Sequence, residues 1–124
     1  METDPHSRPS WVKGLKEWIL QLPWVTEAPH RLGGTEFRFQ NLEFMHSHSP
    51  AHLDIRLSKE DQERVLKEDK AQHHRASVHH ESGWVTFRIS SENDLEGAKE
   101  LIQLAYNNTR KLVESNTAKR NPSS

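Results

Sequence analysis

Hydrophobic side chains recur with helical spacing near both ends of the chain. From Ser10, a residue suited to an N-cap, the first set predicts a helix that Pro23 ends. Near the other end, Ser91 and Asp94 predict a capping box before a second amphipathic helix. The apolar positions are Trp11, Leu15, Trp18, Ile19 and Leu22 in the first helix and Leu95, Ala98, Leu101, Ile102, Ala105 and Leu112 in the last.

Between these helices the pattern changes to the period of two that is typical of strands. The predicted strands are 24–28, 35–40, 42–48, 51–57, 72–80 and 84–89. Ser58 and Asp61 resemble a capping box and predict a short, mostly solvated helix that ends near residue 69. Alternating strands joined by short turns, without a repeating strand-helix-strand unit, predict an antiparallel sheet.

Two of the turns predict hairpin pairings. A turn at 40–41 would pair Phe39 with Leu42 and Phe37 with Phe44.

A second hairpin, around residues 81–83, would pair Val78 with Val85. This register would place His74 and His80 on the apolar side of the sheet.

The turn near Ser49 and Pro50 allows two registers. A two-residue loop sets His46 opposite Leu53 and keeps the apolar face continuous. A three-residue loop would set Phe44 opposite Arg56. It would also gather four polar side chains on one face: His46, His48, His52 and Asp54. Because a slip of one residue turns a buried apolar row outward, the pattern favours the two-residue loop.

The elements together predict an α+β fold. It has an antiparallel sheet of about five to six strands with helices packed on one face, in the order α-β-β-β-(β)-α-β-β-α. We expect one domain over 10–114, with polar, disordered tails at 1–9 and 115–124.

Composition narrows the functional classes. The 17 basic and 18 acidic residues give a formal charge of -1, so nucleic acid is not an expected partner. The chain has no cysteine, which excludes disulfides and thiolate metal sites. Without a signal peptide or an apolar run of about 18 residues, we expect a soluble, cytoplasmic protein with no membrane partner. A homodimer is left open.

Histidine is the most unusual feature, because eight of the nine lie between residues 30 and 80. His46 and His48 stand two residues apart on one predicted strand, so both imidazoles can reach one divalent transition metal. His30, His74 or Asp54 could complete the ligand set, Asp54 only in the less favoured register. Ordinary hydrogen-bonded histidines at the end of a strand are the competing interpretation.

Three further residues are candidates for a ligand-binding pocket. Trp84 could stack on a ligand, although an aromatic beside a turn more often covers the core. Arg31 and Arg56 could bind an anion or pair with surface carboxylates. With the histidines, the predicted ligand-binding set is His30, Arg31, His46, His48, Arg56, His74 and Trp84.

Several motifs, in order, resemble the small Luciferase domain family over about residues 10–112. They are Pro29-His30-Arg31-Leu32-Gly33-Gly34, His46-x-His48 followed by Leu53-Asp54, His73-His74, Ser82-Gly83-Trp84-Val85-Thr86-Phe87-Arg88 and Leu101-Ile102-x-Leu104-Ala105-Tyr106. The resemblance implies a shared fold and no particular reaction. A flavin luciferase barrel of about 250 residues cannot fit in this chain.

Three functions remain open. The first is a module that binds a small molecule or a metal in a histidine-rich pocket. The second is a small enzyme that uses a metal or a histidine base, although no familiar catalytic motif is present. The third is association that depends on pH through the histidines, which would change the oligomeric state between about pH 7.5 and 5.5.

Overall fold

A computed structural model describes residues 10–30, 33–49, 51–73 and 83–120. The helices are α1 (Ser10–Leu20), α2 (Lys59–Lys67) and α3 (Leu95–Arg120), the last preceded by a 3₁₀ turn at Glu92–Asp94. The strands are β1 (Val25–Pro29), β2 (Thr35–Phe39), β3 (Leu42–Ser49), β4 (His52–Arg56), β5 (Gln72–His73) and β6 (Trp84–Arg88). The predicted α+β class and element order are confirmed.

Two of the predicted helix starts, at Ser58 and Ser91, have the expected caps, whereas Ser10, predicted as an N-cap, is the first residue of α1. The Ser58 hydroxyl accepts a hydrogen bond from the Asp61 backbone N–H at 3.1 Å. The Asp94 carboxylate accepts one from the Ser91 N–H at 3.3 Å, so α3 starts where the capping pattern predicts. At its other end α3 continues to Arg120, beyond residue 114, where the sequence analysis placed the domain boundary. None of the described helices combines the length and apolar character needed to cross a bilayer.

The sheet is antiparallel with strand order β1-β2-β3-β4-β6-β5. One row across its centre is apolar and consists of Phe37, Met45, Ile55 and Val85, which are successive partners on β2, β3, β4 and β6. Side chains of α1 and α3 pack with this row in one hydrophobic core: Leu15, Ile19, Ala98, Leu101, Ile102 and Ala105. The core therefore fills the space between the sheet and these two helices.

The first hairpin contains a β-bulge that the alternating pattern did not reveal. Phe39 pairs with Leu42 as predicted, but Phe37 pairs with Met45 and not with Phe44. Phe44 is the extra residue, and its ring packs edge-on against Tyr106 in the core. The bulge lets two successive residues of β3, Phe44 and Met45, both lie in the core.

The favoured register at the turn near Ser49 is wrong. His46 lies opposite Asp54, and Met45 lies opposite Ile55, which is the register of the three-residue loop. A second bulge, at His48, shifts the register before Ser49 meets His52. Because the bulge at Phe44 changes the alternation further along β3, this register keeps the apolar row intact.

The register predicted for the last hairpin is also wrong. Val85 lies opposite His73 rather than Val78. The partners proposed for the rest of that strand lie outside the described residues.

Candidate functional site

A polar row crosses the second face of the sheet. It consists of Glu36, His46, Asp54 and Thr86, which are successive partners on β2, β3, β4 and β6. All four are buried, with relative exposures of 8%, 3%, 1% and 5%. Buried polar groups must be hydrogen-bonded to be stable, so this row is held together by specific contacts.

His46 lies between two carboxylates. Its Nδ1 is 2.8 Å from Glu43 Oε2, and its Nε2 is 3.0 Å from Asp54 Oδ2. Glu43 reaches this face because the bulge at Phe44 places it opposite Arg38, on the same side as Glu36.

Electrostatics favour a protonated His46. Burial alone would lower its pKa, but the hydrogen bonds to Asp54 and Glu43 outweigh burial and raise the pKa to about 9. For Glu43, burial would raise the pKa, yet the hydrogen bond to His46 lowers it overall. The metal-free site at neutral pH therefore holds an imidazolium between two carboxylates.

Asp54 is the centre of the cluster. Its Oδ2 is 2.8 Å from His48 Nε2 as well as 3.0 Å from His46 Nε2. Its Oδ1 accepts a hydrogen bond from Thr86 Oγ1 at 2.8 Å and lies 3.3 Å from His52 Nε2. The side chains of three histidines and one threonine thus contact one buried carboxylate.

Three rings lie close to His46, and that of His48 is edge-on to it with centroids 4.8 Å apart. The ring of His30 stacks on it with centroids 4.2 Å apart and planes 28° apart, and the ring of Trp84 lies 5.0 Å away. The pKa of His30 is lowered by burial and then by the positive charge of His46. His30 is therefore a neutral ring beside the charged one.

Among the described residues, two sets of three donor atoms are close enough to hold a metal ion: His46, His48 and Asp54, and His30, Glu43 and His46. The first set has both nitrogens within 3.0 Å of one oxygen, which is about the spacing of adjacent ligands that each lie about 2.1 Å from an ion. In the second set His30 Nε2 lies 3.7 Å from Glu43 Oε2, which is farther than either nitrogen lies from the oxygen in the first set. The first set has the better geometry for a metal.

The structure brings most of the predicted site residues together. His30, His46, His48, Asp54 and Trp84 form one contiguous cluster.

Arg56 lies on the same face, opposite Trp84, but outside the donor sets. Arg31 and His74 lie outside the described residues.

Sequence reasoning missed three members of the cluster: Glu43, His52 and Thr86. A regular strand would place Glu43 and His46 on opposite faces, and only the bulge changes this. His52 was assigned to the other face because the wrong register was favoured. Thr86 could have been found from the Asp54 register, since it is the partner of Asp54 on the next strand.

A family model, described as Luciferase domain, matches residues 41–105. The matched segment includes the donor residues His46, His48 and Asp54, and it ends within α3. No curated protein and no solved structure matches the chain. The matched segment is 65 of the 124 residues and confirms the resemblance seen in the motifs. The chain therefore belongs to the Luciferase domain family.

Proposed function

We propose that this protein binds one divalent first-row transition metal through His46 Nε2, His48 Nε2 and Asp54 Oδ2. The observation that carries the proposal is the convergence of two imidazole nitrogens, at 3.0 and 2.8 Å, on a single carboxylate oxygen. An ion would replace the hydrogen bonds that now join these atoms. Two nitrogens and one oxygen, without thiolate, suit zinc, nickel, cobalt, copper(II) or iron(II).

Neighbouring groups support the same assignment. Glu43 accepts from Nδ1 of His46, which leaves Nε2 as the nitrogen directed toward the ion. Thr86 donates to Oδ1 of Asp54, which leaves Oδ2 as the ligand atom. Carboxylates and hydroxyls that orient the ligands in this way are a regular feature of protein metal sites.

Three protein donors leave coordination positions for water or a small molecule, as in catalytic and ligand-binding metal centres. His48 is the most open of the three, with 36% of its side chain exposed, against 4% for His46 and 2% for Asp54. An exchangeable ligand would approach beside His48. The same arrangement would serve the small metal-dependent enzyme considered from the sequence.

Metal binding must remove the Nε2 proton of His46. The raised pKa of His46 means that protons compete with the ion at neutral pH, so the apparent affinity should increase between pH 6.5 and 8.5. The two carboxylates that stabilise the imidazolium also balance the charge of the ion that replaces its proton.

The test uses the full untagged chain, treated with chelator and then dialysed. Isothermal titration with zinc and nickel, and elemental analysis after gel filtration, should give one equivalent per chain. His48→Ala and Asp54→Asn should each weaken binding by at least about 100-fold, because they remove direct ligands.

His52→Ala is the matched control. It removes an imidazole that lies 3.3 Å from Oδ1 and is not part of the first donor set, so its affinity should stay within about threefold of the parent. Equal affinity in the parent, His48→Ala and Asp54→Asn would mean that the other histidines bind the metal. Less than about a tenth of an equivalent of every metal tested would also overturn the proposal.

A further inference from the structure

We propose that a second site, a cavity between α1 and the helix-covered face of the sheet, binds an aliphatic carboxylate of about eight carbons. The cavity has a volume of about 240 Å³. The cavity lies mainly on the other face of β3 from the metal site, and His48 is the one proposed metal ligand that also lines it.

The interior of the cavity is apolar. Five buried side chains from α1 and three strands line it: Leu15, Ile19, Phe37, Met45 and Leu53. Protein interiors are close-packed and contain few voids larger than a water molecule. A space of about 240 Å³ equals about eight water volumes, which is enough for an aliphatic chain of about eight carbon atoms.

The polar lining selects the head group. Thr35, Ser47 and Ser49 contribute hydroxyls, His48 contributes an imidazole, and Lys16 of α1 contributes an ammonium. Among the described residues that line the cavity, none is acidic. Hydroxyl donors together with a cation fit a carboxylate and disfavour an alkylammonium.

Lys16 also pairs with Glu27, at 2.9 Å, outside the cavity lining. The two side chains are 46% and 38% exposed, and ion pairs this exposed are weak. Lys16 can therefore exchange this partner for a carboxylate at the mouth. A short amphipathic anion can place its alkyl chain against the apolar interior and its carboxylate near Lys16.

The test uses octanoate as the probe, with the full chain in chelator so that metal has no role. The chain has two methionines, Met1 and Met45, of which Met45 is among the described residues and lines the cavity. With ¹³C-methyl methionine labelling, saturating octanoate should shift the Met45 signal and give contacts from the alkyl chain to that methyl.

Two pairs of variants test the location and the charge. Val12→Trp adds bulk to the lining and should abolish the Met45 response, whereas Lys13→Trp, which adds the same ring to the next, exposed residue outside the lining, should preserve it. Lys16→Gln should weaken octanoate binding by about fivefold and leave octanol binding unchanged, while Lys13→Gln should change neither.

The proposal is overturned if octanoate below about 1 mM leaves Met45 unchanged in the parent chain, or if octylammonium binds as tightly as octanoate. It is also overturned if folded Val12→Trp binds like the parent. If Val12→Trp does not fold, the octanoate contacts to Met45 in the parent decide the location. Because these experiments are done in chelator, their outcomes do not depend on whether the proposed metal site binds a metal.

Discussion

Two neighbouring rows of the sheet are both buried but consist of opposite kinds of side chain, apolar in one and polar in the other. Phe37, Met45, Ile55 and Val85 form the apolar row, with exposures of 4% or less. The polar row consists of Glu36, His46, Asp54 and Thr86, with exposures of 8% or less. Each member of one row is the chain neighbour of a member of the other, so the same four strand segments produce both faces.

The two rows are stable for different reasons. The apolar row is stabilised by the removal of its surface from water, which needs no particular partner. In the polar row each buried group needs a hydrogen-bond partner. The Asp54 carboxylate is within hydrogen-bond distance of His46, His48 and Thr86. The free energy of unfolding should therefore depend on side-chain volume in the apolar row and on individual hydrogen-bonding atoms in the polar row.

The largest expected effect is in the apolar row. Ile55→Ala should reduce the free energy of unfolding by about 4 kcal/mol, because Ile55 is fully buried and its neighbours cannot fill the cavity completely. Urea unfolding followed by circular dichroism measures the change. Leu112→Ala, at a residue that is 42% exposed, should cost less than about 0.5 kcal/mol. Equal effects of the two substitutions would contradict the assigned core.

Asp54→Asn should be the most damaging conservative change in the polar row, at about 3 kcal/mol in metal-free protein. An amide keeps the shape of the carboxylate but removes the charge that balances the His46 imidazolium. The same urea titration measures it. Asp61→Asn removes the charge of a half-buried residue that pairs with Arg64 on α2. It should reduce the free energy of unfolding by less than about 1 kcal/mol. A loss at position 54 no greater than at position 61 would show that the cluster has little effect on folding.

The His46 pKa predicts how stability depends on pH. Its value is about 9 in the folded chain and about 6.5 in the unfolded chain, so the folded state binds more protons between these values. The stabilising contribution, about 3 kcal/mol, should be fully present below pH 6.5 and lost as the pH rises through about 9.

Urea titrations between pH 6 and 9.5, with chelator present, measure this dependence. His46→Gln should flatten the profile in that window, since glutamine does not titrate. Parallel profiles for the two proteins would assign the dependence to other groups.

The contrast between the rows also explains which features the sequence predicted. Helix caps and strand segments follow from local patterns, and Ser58 and Asp94 confirm them. The register between β3 and β4 was wrong because it was chosen to keep Phe44 opposite Ile55 in an unbroken alternation, whereas the bulge at Phe44 puts Met45 there.

Local alternation also could not predict the bulges. At Phe44 and His48 the extra residue depends on packing and pairing with the neighbouring strands, which alternation along one strand does not record. His46 and His48 were recognised as candidates because two-residue spacing survives in a strand. Glu43 was missed because its position relative to His46 depends on the bulge.

The smallest effect tests the edge of the polar row. Thr86→Val keeps the shape of the side chain but removes the hydroxyl that donates to Asp54 Oδ1 at 2.8 Å. The expected loss is about 1.5 kcal/mol, the size of one hydrogen bond to a charged group, in the same urea titration. Thr86→Ser keeps the donor and is the matched control, with a loss below about 1 kcal/mol from the missing methyl. If Thr86→Val is as stable as the parent, then the Thr86 hydroxyl contributes little to the stability of the cluster around Asp54. In that case the stability of the polar row would not depend on this particular hydrogen-bond donor.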